Sequence, residues 1–157
     1  MTFRQLTEEQ DFSETRRVFL EAFSRAPWND DWSDGKQLDS YIHDLLSPNN
    51  ALCFGLFDED SLVGLVLGRH VHFYTGDQFR IDELCIDPRF QHKGYGHLLL
   101  EEVEKACRRR NIQSLFLVTE RDFPAYLFYR KNGFSPADGS VSLFKEIPIL
   151  PNDGEED

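Results

Sequence analysis

The chain has 157 residues, 40% of them apolar and 29% charged, with a net charge of −11. That length makes one ordinary domain able to bury a core without disulfides, and the composition excludes disordered and fibrous classes. No apolar run approaches the roughly 20 residues that span a bilayer, and residues 1–5 do not read as a signal peptide, so a cytoplasmic protein is expected.

Residues 3–6 read as a first strand. Thr7 can cap the helix that follows, in which Phe12, Val18, Phe19, Ala22 and Phe23 recur at helical spacing. A turn-rich loop over residues 26–34 leads into a second helix near 36–46, which Pro48-Asn49-Asn50 ends. Two apolar strands, 51–58 and 61–71, meet at Asp58-Glu59-Asp60 as a hairpin, and Gly76-Asp77 turns the chain into a further strand over 78–86. Asp87-Pro88 stops that strand. Residues 97–110 form an amphipathic helix with Leu98, Leu99, Val103 and Ala106 on one face. Arg108, Arg109 and Arg110 at its C-terminal end complement the macrodipole, which accounts for this basic run better than a binding patch does. A strand over 112–119, a short helix over 123–132 closed by Gly133, and a last strand over 140–147 complete the order β–α–α–β–β–β–α–β–α–β. The pattern predicts a mixed α/β (α+β) single domain over residues 1–150, with a mostly antiparallel sheet and one parallel β–α–β crossover. Residues 151–157 read as an acidic, frayed tail.

Cys53, Cys85 and Cys107 stand far apart and are odd in number, which fits reduced thiols rather than disulfides or a zinc site. The five histidines form no metal signature. His70 and His72 share a strand face and read as surface residues, so no metal is expected. Between residues 85 and 131 nine basic residues outnumber six acidic ones, leaving −14 on the remainder. One stretch can therefore accept an anion, while the rest favours cationic or neutral partners and argues against nucleic acid.

The chemistry concentrates at Gln91-His92-Lys93-Gly94-Tyr95-Gly96-His97, where a loop after a strand opens a helix. Such a junction presents unpaired N–H groups and the positive end of the helix dipole. Glycines at 94 and 96 let an anion reach the backbone. The loop reads as a pyrophosphate cradle with His92 and Lys93 as extra donors, although a G-x-G alone is more commonly a structural turn. It is neither a Walker A loop nor a dinucleotide fingerprint.

Gln91-x-x-Gly94-x-Gly96, after a strand that ends in Asp87-Pro88, resembles the acetyl-CoA signature of the GCN5-related N-acetyltransferases (GNAT). Ala125-x-x-x-Tyr129-x-x-x-Gly133-Phe134 is similar to that family's second cofactor motif, and Pro27-Trp28-Asn29-Asp30-x-Trp32 is weakly similar to its bacterial aminoglycoside-type members. The resemblance implies a sheet splayed beside acetyl-CoA and transfer of its acetyl group to a primary amine by direct attack on the thioester. It implies that amides from Gln91 to His97 hold the pyrophosphate. The pantetheine arm would add like a strand to Leu84, Cys85 and Ile86. Tyr129 takes the place of the acid that protonates the departing thiolate, a role its phenol chemistry suits. Glu83 becomes the candidate to receive the amine proton, directly or through water. Strand alternation lets only one of Asp82 and Glu83 enter the cleft, and relatives with a base three positions earlier have no counterpart here, where Arg80 stands. Asp122 replaces an asparagine frequent in the family, and can accept from the pantetheine but not donate. Cys85 reads as buried packing rather than an acyl carrier, and Tyr126 and Phe128 as packing.

For the acceptor, the resemblance points to the loop between the first two helices. Trp28, Asp30 and Trp32, with Glu83, can attract and stack on an ammonium or a sugar, although indoles also anchor loops to cores. The expected acceptor is a small cation, an amino sugar, aminoglycoside or polyamine. A protein lysine or N-terminus is the alternative, and a non-catalytic acyl-CoA-binding module the alternative of another class. Relatives of this kind frequently dimerise, so a homodimer is expected.

Overall fold

The apolar runs assemble into one five-stranded sheet in this computed structural model, which describes residues 1–151. Strands β1 (Thr2–Gln5), β2 (Ala51–Asp58), β3 (Ser61–Phe73), β4 (Gly76–Ile86) and β5 (Ser114–Phe116) lie side by side in chain order. The first four pair antiparallel, and β5 runs parallel to β4. Helices α1 (Glu8–Phe23) and α2 (Gly35–Leu46) link β1 to β2, α3 (Tyr95–Arg109) makes the parallel crossover, and α4 (Pro124–Lys131) follows β5.

Local chemistry sets the helix starts. The Thr7 hydroxyl accepts from the Gln10 amide at 3.3 Å, and the Asp34 carboxylate accepts from the Lys36 and Gln37 amides; such caps typically contribute about 1 kcal/mol each. The helices then cover opposite faces of the sheet. Val18, Phe19, Leu38 and Ile42 from α1 and α2 pack on Leu62, Leu65 and Leu67. Leu99, Val103, Ala106 and Cys107 of α3 pack on Phe54, Val66, Phe79 and Ile81. Leu100 joins the buried face of α3, whereas Leu98 lies half-buried at its margin. The three thiols are free and buried.

Two features open the sheet where β4 ends. Only Gln78–Arg80 of β4 pair with β5, so the six residues from Ile81 onward have no strand neighbour on that edge among the described residues. The tip of β4 is instead tied down by Asp87. Its amide donates to the Val63 carbonyl at 2.7 Å, and its fully buried carboxylate accepts from Arg17 and Arg89. Burial alone would push this carboxyl up, but the arginine hydrogen bonds outweigh it and hold it at about 2. Asp87 is therefore a structural anion that fixes the strand's end.

The strand expected over 140–147 does not form. Residues 139–150 have no sheet partner among the described residues, and β5 holds three residues where eight were expected. The physical reason is shared: a strand exists only through a paired edge, and the alternation that marks the C-terminal segment cannot supply one. The tail over 152–157 lies outside the described residues. No helix among the described residues is long and apolar enough to cross a membrane.

Candidate active site

α3 starts differently from α1 and α2. Its first residue follows Gly94, in the left-handed region at φ 84°, and no side chain caps it. The first helical bond runs from the Leu98 amide to the Gly94 carbonyl at 3.2 Å, so the amides just before it have no helical acceptor. They edge a cavity of about 590 Å³, whose walls include Leu84, Ile86, Gln91, His92, residues 94–97, Ala125 and Tyr129. A side chain at Gly94 would meet no atom within 4 Å and would project into open space. Gly96 serves another purpose. A Cβ there would sit 3.0 Å from the Phe128 ring, so this glycine lets α3 and α4 close on each other. His97 Nδ1 lies 2.6 Å from Asn132 Oδ1, which ties the same two helices together. The Gln91 amide group donates to the Ile86 carbonyl at 3.1 Å and braces the loop against the strand end.

The second half of the site lies in the opening between β4 and the chain after β5. A cavity of about 240 Å³ is bounded there by Ile81, Asp82, Glu83 and Leu84 on one side and residues 117–120 on the other. Trp28, Leu84 and Tyr129 border both cavities, so the two adjoin around the phenol. Asp30, Asp82, Glu83 and Glu120 line the smaller one, and no basic residue does.

Glu83 reaches this position through a bulge. The β3–β4 register runs from Leu67 opposite Glu83 to Gly68 opposite Ile81, leaving Asp82 as an extra residue. The bulge reverses the strand's parity. Phe79 and Ile81 face α3, but after Asp82 it is Leu84 and Ile86 that pack on that side, while Cys85 joins the core under α1 and α2. Glu83 accordingly turns toward α2, where the Tyr41 hydroxyl donates to its Oε1 at 2.6 Å. The expectation that alternation admits only one of Asp82 and Glu83 is thus corrected: both line the same cavity, because the bulge breaks the alternation.

Burial pushes the Glu83 carboxyl up, the Tyr41 hydrogen bond draws it partly back, and the charges of Asp82 and Asp30 add to the rise; the balance stands at about 7. Burial also raises the Tyr129 phenol, with Cys85 and Glu83 contributing. The Cys85 thiol, wholly buried, is pushed well above its ordinary value and is packing, as the sequence predicts.

The Glu83 shift has a consequence for stability. An unfolded glutamate titrates near 4.5, so between there and about 7 the folded chain holds a proton that the unfolded chain has lost. Protonation therefore favours the fold fully below pH 4.5, and that advantage disappears as pH rises through about 7. The shift corresponds to about 3 kcal/mol. In urea titrations, the wild-type chain is expected to lose about that much unfolding free energy relative to Glu83→Gln between about pH 4 and about pH 8. Parallel pH dependence of the two proteins would contradict the burial of this carboxyl.

The structure does not bring every expected residue to the cavities. Cys85, Lys93, Trp32 and Asp122 do not line either. Asp122 is exposed, and the Lys93 ammonium sits 5.7 Å from the Phe90 ring centre. Trp32 stacks on Tyr41 at 5.4 Å and packs edge-on against Phe19, so it acts behind Tyr41 rather than in the cleft. Trp28 does border both cavities, held by Phe23 and Phe123. Tyr41 and Glu120 were missed, since nothing local marks either as a partner of Glu83. At the far tip of the β3–β4 hairpin, His70 and His72 share a face as expected and stack at 4.7 Å, with His70 Nε2 2.8 Å from Asp77.

An uncapped helix start thus faces the split in this mixed sheet, and the half-buried Glu83 carboxyl lies at the split. Residues 12–134 match the acetyltransferase (GNAT) family, and the chain belongs to it. Among curated relatives, an uncharacterized protein, YxbD, of Bacillus subtilis (strain 168) is 31% identical over 103 residues, 60% of this chain and 61% of its own length. A streptothricin acetyltransferase of Escherichia coli is 26% identical over 114 residues, 72% of this chain and 64% of its own. The chain thus matches somewhat under two thirds of each of these relatives. Among solved structures, an aminoglycoside acetyltransferase, meta-AAC0020, from an uncultured soil metagenomic sample, in complex with sisomicin, superposes with a TM-score of 0.72. That superposition covers 94% of this chain and 96% of the other at 20% identity, and so shows the shared fold.

Proposed function

We propose that this protein is an N-acetyltransferase that moves an acetyl group from acetyl-CoA to a primary amine of a small polycationic acceptor. The observation that carries the reading is the acidic cavity: four carboxylates line it without a basic residue, and it adjoins the cradle at Tyr129. Acids in a confined site concentrate ammonium groups and exclude anions. The curated relative that acetylates streptothricin and the structural neighbour bound to sisomicin support the same acceptor class.

The residues present suit acetyl-CoA. Uncapped amides at the start of α3 would hold its pyrophosphate, with His92 and His97 at the rim, and the unpaired edge of Leu84 and Ile86 would receive the pantetheine. Acetyl-CoA supplies an activated carbonyl; the new C–N bond replaces the C–S bond, and coenzyme A leaves as its thiol. The carboxylate of Glu83, ionised above pH 7, takes the amine proton. Tyr129, at the junction of the cavities, gives its phenolic proton to the sulfur. Three buried free thiols fit a reducing, cytoplasmic setting.

Thiol release measured across streptothricin, aminoglycosides, polyamines, and peptides with free lysines or N-termini tests the reading. Turnover confined to the small cations is the expected result. Turnover confined to peptides would replace the acceptor class with a protein substrate. Tight coenzyme A binding without turnover on any amine would make the chain a binding module.

A further inference from the structure

His70, His72 and Asp77 line neither of the two cavities. Two histidines on one strand face do not by themselves make a metal site, and on them alone no metal is expected. The turn before Asp77 supplies the third group. It brings β4 back so that Asp77 stands directly opposite His72 in the β3–β4 register. His70 Nε2 lies 2.8 Å and His72 Nε2 3.7 Å from the same carboxylate oxygen, Asp77 Oδ2. One ligand atom from each of the three residues falls within 4.8 Å of the others. Tetrahedral zinc holds nitrogen and oxygen ligands at about 2.0–2.1 Å, which sets the ligands about 3.4 Å from one another. Opening the His70 contact and tightening the His72 contact reaches that spacing, and the exposed His72 ring has room to turn.

The backbone under these side chains is held on both strands. The His70 amide donates to the Asn50 carbonyl at 2.9 Å, and the Gln113 amide donates to the Asp77 carbonyl at 2.9 Å. Beyond these two bonds the hairpin runs on alone. β2 pairs with β3 only as far as Arg69, and β5 pairs with β4 only from Gln78. Residues 71–76 are therefore a two-stranded overhang among the described residues, and such a ribbon is marginal in water by itself. Its tip carries the exposed rings of Phe73 and Tyr74. An ion held by His70 and His72 of one strand and Asp77 of the other fastens this overhang at its root.

We propose that His70, His72 and Asp77 bind a divalent transition-metal ion of the zinc class, which staples β3 to β4 at the base of the hairpin tip. Two imidazoles and a single carboxylate suit zinc, whereas magnesium and calcium prefer sets of oxygen ligands. Each neutral ring offers the lone pair of Nε2 and keeps its proton on Nδ1. His70 and Asp77 are half-buried and His72 is exposed, so the fourth position opens to water. The net charge of −11 favours a cation at the surface.

Zinc chloride titrated calorimetrically into the chelator-treated full-length protein is expected to bind one-to-one. It should also slow amide exchange over residues 71–76 of the wild-type chain. His72→Gln and Asp77→Asn should each weaken binding at least about tenfold, the least that loss of even an outer-shell partner costs. His43→Gln removes a histidine that faces a single acid, Glu8 at 2.7 Å, and should bind zinc like the wild type. Urea unfolding of each variant without zinc separates a lost ligand from a lost fold, and midpoints close to wild type are expected. No heat with the wild-type protein would overturn the site. Affinity kept in His72→Gln and Asp77→Asn, or lost equally in His43→Gln, would make the zinc adventitious and overturn it as well. Binding that leaves exchange over residues 71–76 unchanged would overturn the staple.

Discussion

Glu83→Gln is expected to lower kcat/KM by about 10²–10⁴-fold at about pH 8, the range that a positioned general base contributes. In the wild-type enzyme the rate should rise with pH through about 7, because the Glu83 carboxyl must lose its own proton before it can take one from the amine. The acceptor's amine titrates as well, but it does so identically for both proteins, so the ratio of wild-type to variant kcat/KM isolates Glu83. That ratio should climb through about pH 7 and level off above it. Glutamine fills the same volume and still accepts from the Tyr41 hydroxyl, so the cavity keeps its shape. A ratio that is flat with pH would remove Glu83 as the base.

Tyr129→Phe is expected to cost less, near the lower end of that range at about 10²-fold, and to cost it evenly across pH. Burial raises the phenol above its ordinary value, so Tyr129 keeps its proton throughout the working range and remains a donor at every pH tested. The same rise makes it a weaker acid toward a thiolate, whose ordinary value lies lower, and this limits its contribution. Phenylalanine preserves the contacts with Phe128 and Phe134, so the loss reports the hydroxyl. An unchanged kcat would leave the sulfur to be protonated by solvent. A loss that tracked pH near 7 would show that the variant had disturbed Glu83 instead.

The parts of this account that were legible in the sequence are those with local causes. Thr7 caps α1, Asp87-Pro88 stops β4, and Gly94 opens α3, each through chemistry within a few residues. Gly94 and its uncapped helix start mark the cavity at the head of α3, and Gly96, which also lines it, makes room for the Phe128 ring as well. What was not legible depends on distant partners. The bulge at Asp82 exists because β3 runs past it, and the residue that marks it, Gly68, stands on the facing strand, where a Cβ would clash with the Arg80 carbonyl. Yet it decides which way Glu83 points. Tyr41 finds Glu83 across 42 residues of chain, and Glu120 arrives from the loop after β5. Trp32 illustrates the limit from the other direction: an aromatic in an acidic loop has the composition of a binding residue, and only packing on Phe19 and Tyr41 shows that it supports the wall. The last strand has a clear alternating pattern, but alternation does not specify which edge will pair with it.

Calorimetric titration of coenzyme A into the full-length protein and its Gly94→Ala variant bears most directly on the claim that bare amides at the head of α3 grip a diphosphate. The methyl group would enter open space beside the cavity, at a backbone angle that alanine tolerates at a cost of about 1–2 kcal/mol. One-to-one binding by the wild-type protein, weakened at least about tenfold in the variant, is the predicted result. No heat with the wild-type protein, or equal affinity in both, would contradict it.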